Sequence, residues 1–238
     1  MKINAQDILQ ETYDVFIKAG FKEILDNSIT ISETDYYKLH TDFLVPTSIK
    51  IDTELFVDQV KEFKFQQWGK NHTHLPRYGL ALVNKSGELI EDDPINGSLM
   101  TWNKDHPNDP IIETDCLKPT PVMNISSLDP LRIFDGYWTR SNILKWNNGA
   151  MFLPHIDTVV PSMWLRLWMS TEGLTVRHYD ETLEELKEIE YEPGRVYLID
   201  TSKIHDAYTT NDNVYQLFLS VLTTADYLIS SVILPTQS

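Results

Sequence analysis

The strongest constraint on this chain is a succession of eight short apolar segments between residues 139 and 223, each closed by turn-forming residues. The segments are 139–146, 150–156, 162–170, 174–179, 185–191, 195–200, 204–209 and 214–223. Asn147-Asn148-Gly149, Thr171-Glu172-Gly173, Glu192-Pro193-Gly194 and Asn211-Asp212-Asn213 separate several of them, and these residue types adopt the backbone angles of tight turns at low cost. Connections this short leave no room for the crossover helices of a parallel sheet, so the segments pair antiparallel. The expected fold is mainly β, a jelly roll or related closed barrel. Residues 181–191, ETLEELKEIEY, have helical propensity as well, but they are read as a strand followed by Pro193-Gly194.

The first half has a different texture. Leu9, Tyr13 and Phe16 recur at helical spacing before Gly20 and predict a helix over 4–19. A second helix is expected over 53–68, capped at Thr53, with Leu55, Phe56, Val60 and Phe63 as its apolar set. Residues 78–84 read as a buried strand, 91–121 as long turns rich in Pro, Asp and Asn, and Ser127 as the cap of a short helix to Phe134. No repeat or linker divides the chain. We therefore expect one domain over residues 1–238, with a helical and loop-rich part, 1–124, packed outside a β-barrel core, 125–223.

A formal charge of −15 opposes the basic field that a phosphate backbone requires, so no nucleic-acid partner is expected. Cys116 is the only cysteine, which rules out an internal disulfide and a thiolate cluster and fits a reducing compartment. Asp7, Glu11 and Asp14 interrupt the N-terminal segment before any long apolar run, and a soluble cytoplasmic protein without membrane contact is the expectation.

His155 and Asp157 end one of the predicted strands, and period-two alternation puts both side chains on one face. His205 follows the strand RVYLID, where the chain can return beside the first pair. Two imidazoles and a carboxylate leave three positions of an octahedral metal open, the donor set of non-haem iron(II) that must also bind a co-substrate and dioxygen. A turn with Gly149 and then Pro154 precedes the pair, an arginine-bearing strand with Arg166 follows it, and Pro193-Gly194 precedes the distal histidine. Over residues 125–222 this pattern resembles the 2-oxoglutarate and iron(II)-dependent oxygenases, in particular the aspartyl/asparaginyl β-hydroxylase and free-proline hydroxylase branch.

The resemblance implies a double-stranded β-helix of cupin-like form, with His155, Asp157 and His205 holding Fe(II). It implies that 2-oxoglutarate and O2 are consumed while an amino acid, a peptide or protein side chain, or a small metabolite is hydroxylated. Because Asp157 is retained, hydroxylation is expected rather than halogenation. Arg166 stands where the family contacts the co-substrate carboxylates. The family's second arginine, about ten residues after the distal histidine, is replaced here by Tyr215, with Gln216 beside it. Lys145, on the strand before His155, is the expected substitute cation, and Arg140 a weaker one.

His72 and His74 are read as loop residues, His178 as packing or a surface hydrogen bond, and Trp138, Trp146, Trp164 and Trp168 as core. The competing expectation is a cupin-like metal-binding or structural barrel without 2-oxoglutarate chemistry. A metal-dependent dioxygenase or isomerase lacking 2-oxoglutarate is a third. The sequence leaves the oligomeric state open.

Overall fold

A computed structural model describes residues 42–69, 75–97, 99–155, 157, 164–179, 186–201 and 203–234. The helix expected over 4–19 and the His72, His74 pair lie outside these residues. In chain order the elements are β1 (Leu44–Lys50), α1 (Thr53–Val60), β2 (Gln66–Gln67), β3 (Arg77–Asn84), α2 (Leu99–Asp105), β4 (Lys118–Pro119), β5 (Trp138–Trp146), β6 (Met151–His155), β7 (Trp164–Ser170), β8 (Thr175–Tyr179), β9 (Leu186–Glu188), β10 (Arg195–Ile199), β11 (His205–Tyr208), β12 (Val214–Leu222) and α3 (Asp226–Val232).

Two antiparallel sheets face each other. The larger runs β1-β10-β7-β12-β5-β3-β2, with β4 also on β3, and the smaller runs β6-β11-β8-β9. From β5 onward the chain passes between the sheets at every turn except the β8–β9 hairpin, so β5, β7, β10 and β12 interleave with β6, β8, β9 and β11. This alternation is the double-stranded β-helix. Its turns follow the sequence chemistry: Gly149 has φ of 88° between β5 and β6, and Gly194 has φ of 80° before β10, where an added Cβ would stand 2.4 Å from the Ile51 carbonyl oxygen.

The central strands of the larger sheet, β3, β5, β7, β10 and β12, are buried on both faces, and the face a residue takes decides which core it joins. Leu144, Trp146, Trp168, Tyr197, Ile199 and Val214 meet Val176 and Ala207 of the smaller sheet, and Ala150 and Leu174 just ahead of β6 and β8, inside the barrel. Ile143, Leu165, Leu167, Val196, Leu198, Tyr215, Leu217 and Leu219 point the other way, onto Phe56 and Val60 of α1, Ile229 of α3 and Leu128 and Leu131 of a 3-10 segment, Ser126–Phe134.

The part before residue 125 is more than helix and loop. β1 extends the larger sheet beyond β10, and β3 pairs with β5 along its length. Pro46 of β1 sits on this outermost strand, where a missing N–H is tolerated. The helix expected over 53–68 stops at Val60, because Gln66 and Gln67 are drawn into pairing with Gly79 and Tyr78. Asp52, one residue ahead of the expected cap, accepts from Leu55 N at 3.0 Å.

Candidate metal centre

His155 ends β6 and His205 opens β11, and the two are directly paired across the smaller sheet. Their ring centroids are 4.4 Å apart. Asp157 lies two residues past β6, held by its backbone N–H donating to the Thr201 carbonyl at 3.0 Å. The His155 Nε2 to Asp157 Oδ1 distance is 3.7 Å, and one donor atom from each of the three residues lies within 4.8 Å of the others.

Both imidazoles are oriented from behind. His155 Nδ1 is 2.7 Å from the Leu153 carbonyl and His205 Nδ1 is 2.9 Å from the Lys203 carbonyl, so each Nδ1–H donates to the main chain and each Nε2 keeps its lone pair for a metal. Burial, and after it the neighbouring His155, lowers the pKa of His205 to about 4, so the ring is neutral at physiological pH, as a ligand must be. Burial works against the Asp157 carboxylate, but His155, His205, Arg166 and Arg140 outweigh it and bring its pKa below the usual value. The donor set and its protonation therefore fit a divalent ion with an open face.

A cluster of charge stands beside the centre. Arg166 of β7 donates from Nη2 to Glu113 Oε1 at 2.9 Å and from Nη1 to the Ser220 hydroxyl. Arg140 of β5 donates to the same Glu113 oxygen at 3.0 Å and to the carbonyls of Ile95 and Gly97. Glu113 Oε2 is buried with no hydrogen-bond partner. Desolvation of Glu113 is the largest influence on it, and the two guanidiniums overcome it to hold the carboxyl below its ordinary range. The long turn region 91–121 thus reaches the centre through Glu113.

Lys145 and Tyr215 require a correction. They pair with each other across β5 and β12, and Tyr215 is packed in the outer core against Phe56 and Phe65, with Lys145 Nζ 5.9 Å from its ring. Their side chains lie on the face of the sheet away from the triad. Gln216, next to Tyr215, lies on the inner face and accepts from Trp146 Nε1 at 3.1 Å, while Arg140, beyond an irregularity in the β5 register, reaches Arg166 through the Glu113 carboxylate that both share. The cations beside the triad are Arg140 and Arg166. For the 2-oxoglutarate that the sequence resemblance implies, we expect Lys145→Met to change the half-saturating concentration by no more than about twofold, as befits a side chain on the far face of the sheet. Arg166→Met should raise it roughly ten- to a hundredfold, from the loss of about 1.5 to 3 kcal/mol of charge-assisted bonding. Titration of the iron-loaded variants measures both.

His178 belongs to the site more closely than its sequence context implied. It pairs with His205 from β8, and its ring stacks on Phe43 at 5.2 Å. Phe152 flanks His155 at 5.6 Å. Cys116 is buried, and burial pushes its thiol up to about 12, which removes it from nucleophilic chemistry. Among the described residues no helix is long and apolar enough to cross a membrane.

No protein-family model matches the sequence, and no curated protein matches it. Three solved structures illustrate its similarity to known folds. An oxidoreductase of the 2OG-Fe(II) oxygenase family from Burkholderia pseudomallei is 11% identical, with a TM-score of 0.40 over 71% of this chain and 78% of that one. The ribosomal oxygenase YcfD from Escherichia coli, in complex with cobalt and succinic acid, is 18% identical, with a TM-score of 0.30 over 42% of this chain and 28% of that one. A predicted oxalate decarboxylase from Thermotoga maritima is 17% identical, with a TM-score of 0.27 over 36% of this chain and 68% of that one. The likeness is distant in every case, and the double-stranded β-helix is established by this chain's own strand order.

Proposed function

We propose that this protein is a non-haem iron(II), 2-oxoglutarate-dependent oxygenase that hydroxylates an amino acid, a peptide or protein side chain, or a small metabolite. On its Gly149 turn, Arg166 strand and Pro193-Gly194 pattern, we assign it to the aspartyl/asparaginyl β-hydroxylase and proline hydroxylase branch. The observation that carries the proposal is the convergence of His155, Asp157 and His205 within 4.8 Å, with both Nδ1 atoms committed to main-chain carbonyls. These three residues would hold the metal. When bound, iron(II) supplies the activation of dioxygen that no side chain can provide.

The chain's own residues do the rest. Arg140 and Arg166 both pair with the one carboxylate of Glu113, and two guanidiniums on a single carboxylate support the binding of a ligand carboxylate beside them. Phe43 and Phe152 place apolar rings beside His205 and His155. Decarboxylation of 2-oxoglutarate to succinate, dependent on iron(II) and dioxygen, is the expected activity. Quantifying succinate with and without each component tests it, and succinate formed without iron would sink the proposal. One observation favours the competing metal-binding barrel: Glu113 already provides Arg166 with an anion. Under that alternative the protein binds iron but forms no succinate.

A further inference from the structure

The chain has six arginines, and five have a carboxylate within ion-pairing distance. Arg132 has Asp129 and Asp135, Arg140 and Arg166 share Glu113, Arg177 has Asp206, and Arg195 has Glu192. Arg77 has none among the described residues, yet it is only 4% exposed. It stands on the inner-face register of β3, opposite Trp146, with its guanidinium carbon 3.8 Å from the centroid of the Phe152 ring. Phe152 is the same ring that flanks His155. Arg77 Nη1 donates to the Met151 carbonyl at 2.5 Å, and Nε is buried with no partner. Burial alone pulls its pKa down to about 10, which still leaves it charged at neutral pH. A buried charge without a counter-ion is costly, and natural interiors seldom keep one without a use.

The free edge of this guanidinium has a definite shape. Arg177 shows what that edge does in the same fold: its Nε and Nη2 grip the two oxygens of Asp206 at 2.9 and 2.8 Å. With Nη1 committed to Met151, Arg77 keeps the equivalent edge for a planar carboxylate. Glu113 pairs with Arg140 and Arg166, and no ion pair joins it to Arg77.

We propose that Arg77 is an anion site inside the barrel, and that the molecule acted on at the metal centre bears a carboxylate that binds there. The anion site stands on the geometry alone, while the assignment to the substrate rests on the oxygenase reading. Acetate serves as the smallest carboxylate probe, acetamide as its uncharged control, and the readout is the arginine Nε–H spectrum of the metal-free, 15N-labelled full chain. The Arg77 signal, identified by its loss in Arg77→Lys, should move saturably with acetate and stay in place with acetamide. No movement, or equal movement with both, would overturn the anion site.

In the zinc-loaded chain 2-oxoglutarate should leave that signal unmoved; if it moves, the co-substrate uses Arg77 and the substrate assignment is wrong. Arg77→Met should melt at the same temperature as wild type or higher, since it removes an uncompensated charge. A clear fall in melting temperature would make the guanidinium a structural member and would also overturn the proposal. Failure of the iron-loaded wild type to bind 2-oxoglutarate would remove the oxygenase reading without touching the acetate result.

Discussion

Replacing His205 by Ala is expected to weaken iron(II) binding by about a hundredfold or more, because losing even an outer partner of a metal ligand costs roughly ten- to a hundredfold. His155→Ala and Asp157→Ala should do the same. Each removes one of three donor atoms that converge within 4.8 Å of one another. The fold should survive His205→Ala, since burial penalises rather than favours the ring's charged form and the side chain bonds only to the local Lys203 carbonyl. Equilibrium dialysis against iron(II) with anaerobic detection measures the affinity, and circular dichroism confirms the fold. Wild-type affinity in all three variants would contradict the triad.

The largest expected effect on stability lies one residue further along β11. Asp206 is fully buried on the opposite face from His205, gripped by Arg177 from β8 and by the Tyr179 hydroxyl at 2.8 Å. Arg177→Met strands that carboxylate without its cation, which costs roughly 3 to 5 kcal/mol. For a chain of this size that corresponds to a fall in melting temperature of roughly 6 to 20 °C. Because the pair ties β8 to the strand that carries His205, iron affinity should fall as well. Arg177→Met combined with Asp206→Leu removes both charges and should recover much of the loss, since a buried pair contributes little over apolar residues of similar volume. Thermal denaturation of the two variants decides it, and a double variant no more stable than the single one would contradict this account.

The barrel was legible because alternation and turn chemistry coincide. All eight segments predicted between 139 and 223 contain strands, and the turns at Gly149 and Gly194 use the positive φ that glycine allows. That His155, Asp157 and His205 lie together was legible from the His-x-Asp spacing at the end of one strand and from the strongly apolar strand ahead of the distal histidine. Lys145 was misplaced because β5 is buried on both faces. In Ile143-Leu144-Lys145-Trp146 apolar residues occupy both parities, so hydropathy does not tell which face looks inward, and only the pairing of Trp146 with the interior does. Glu113 was invisible for a different reason. It belongs to a 3-10 turn, Glu113–Asp115, inside a loop whose local residues hold no periodicity, and its partners lie 27 and 53 residues away. Arg77 showed only as the residue ahead of a predicted strand. Its isolation from carboxylates is a tertiary fact that no window of sequence contains.

The central claim is that the three ligands and the guanidinium cluster together bind iron(II) and 2-oxoglutarate at one site. Anaerobic titration of the metal-free protein with iron(II), followed by 2-oxoglutarate, tests this most directly through the visible charge-transfer band that chelation of the co-substrate to iron produces. One equivalent of iron and a saturable band that is weakened in Arg166→Met and unchanged in Lys145→Met is the predicted result. Stoichiometric iron binding with no band at any concentration of 2-oxoglutarate would contradict it.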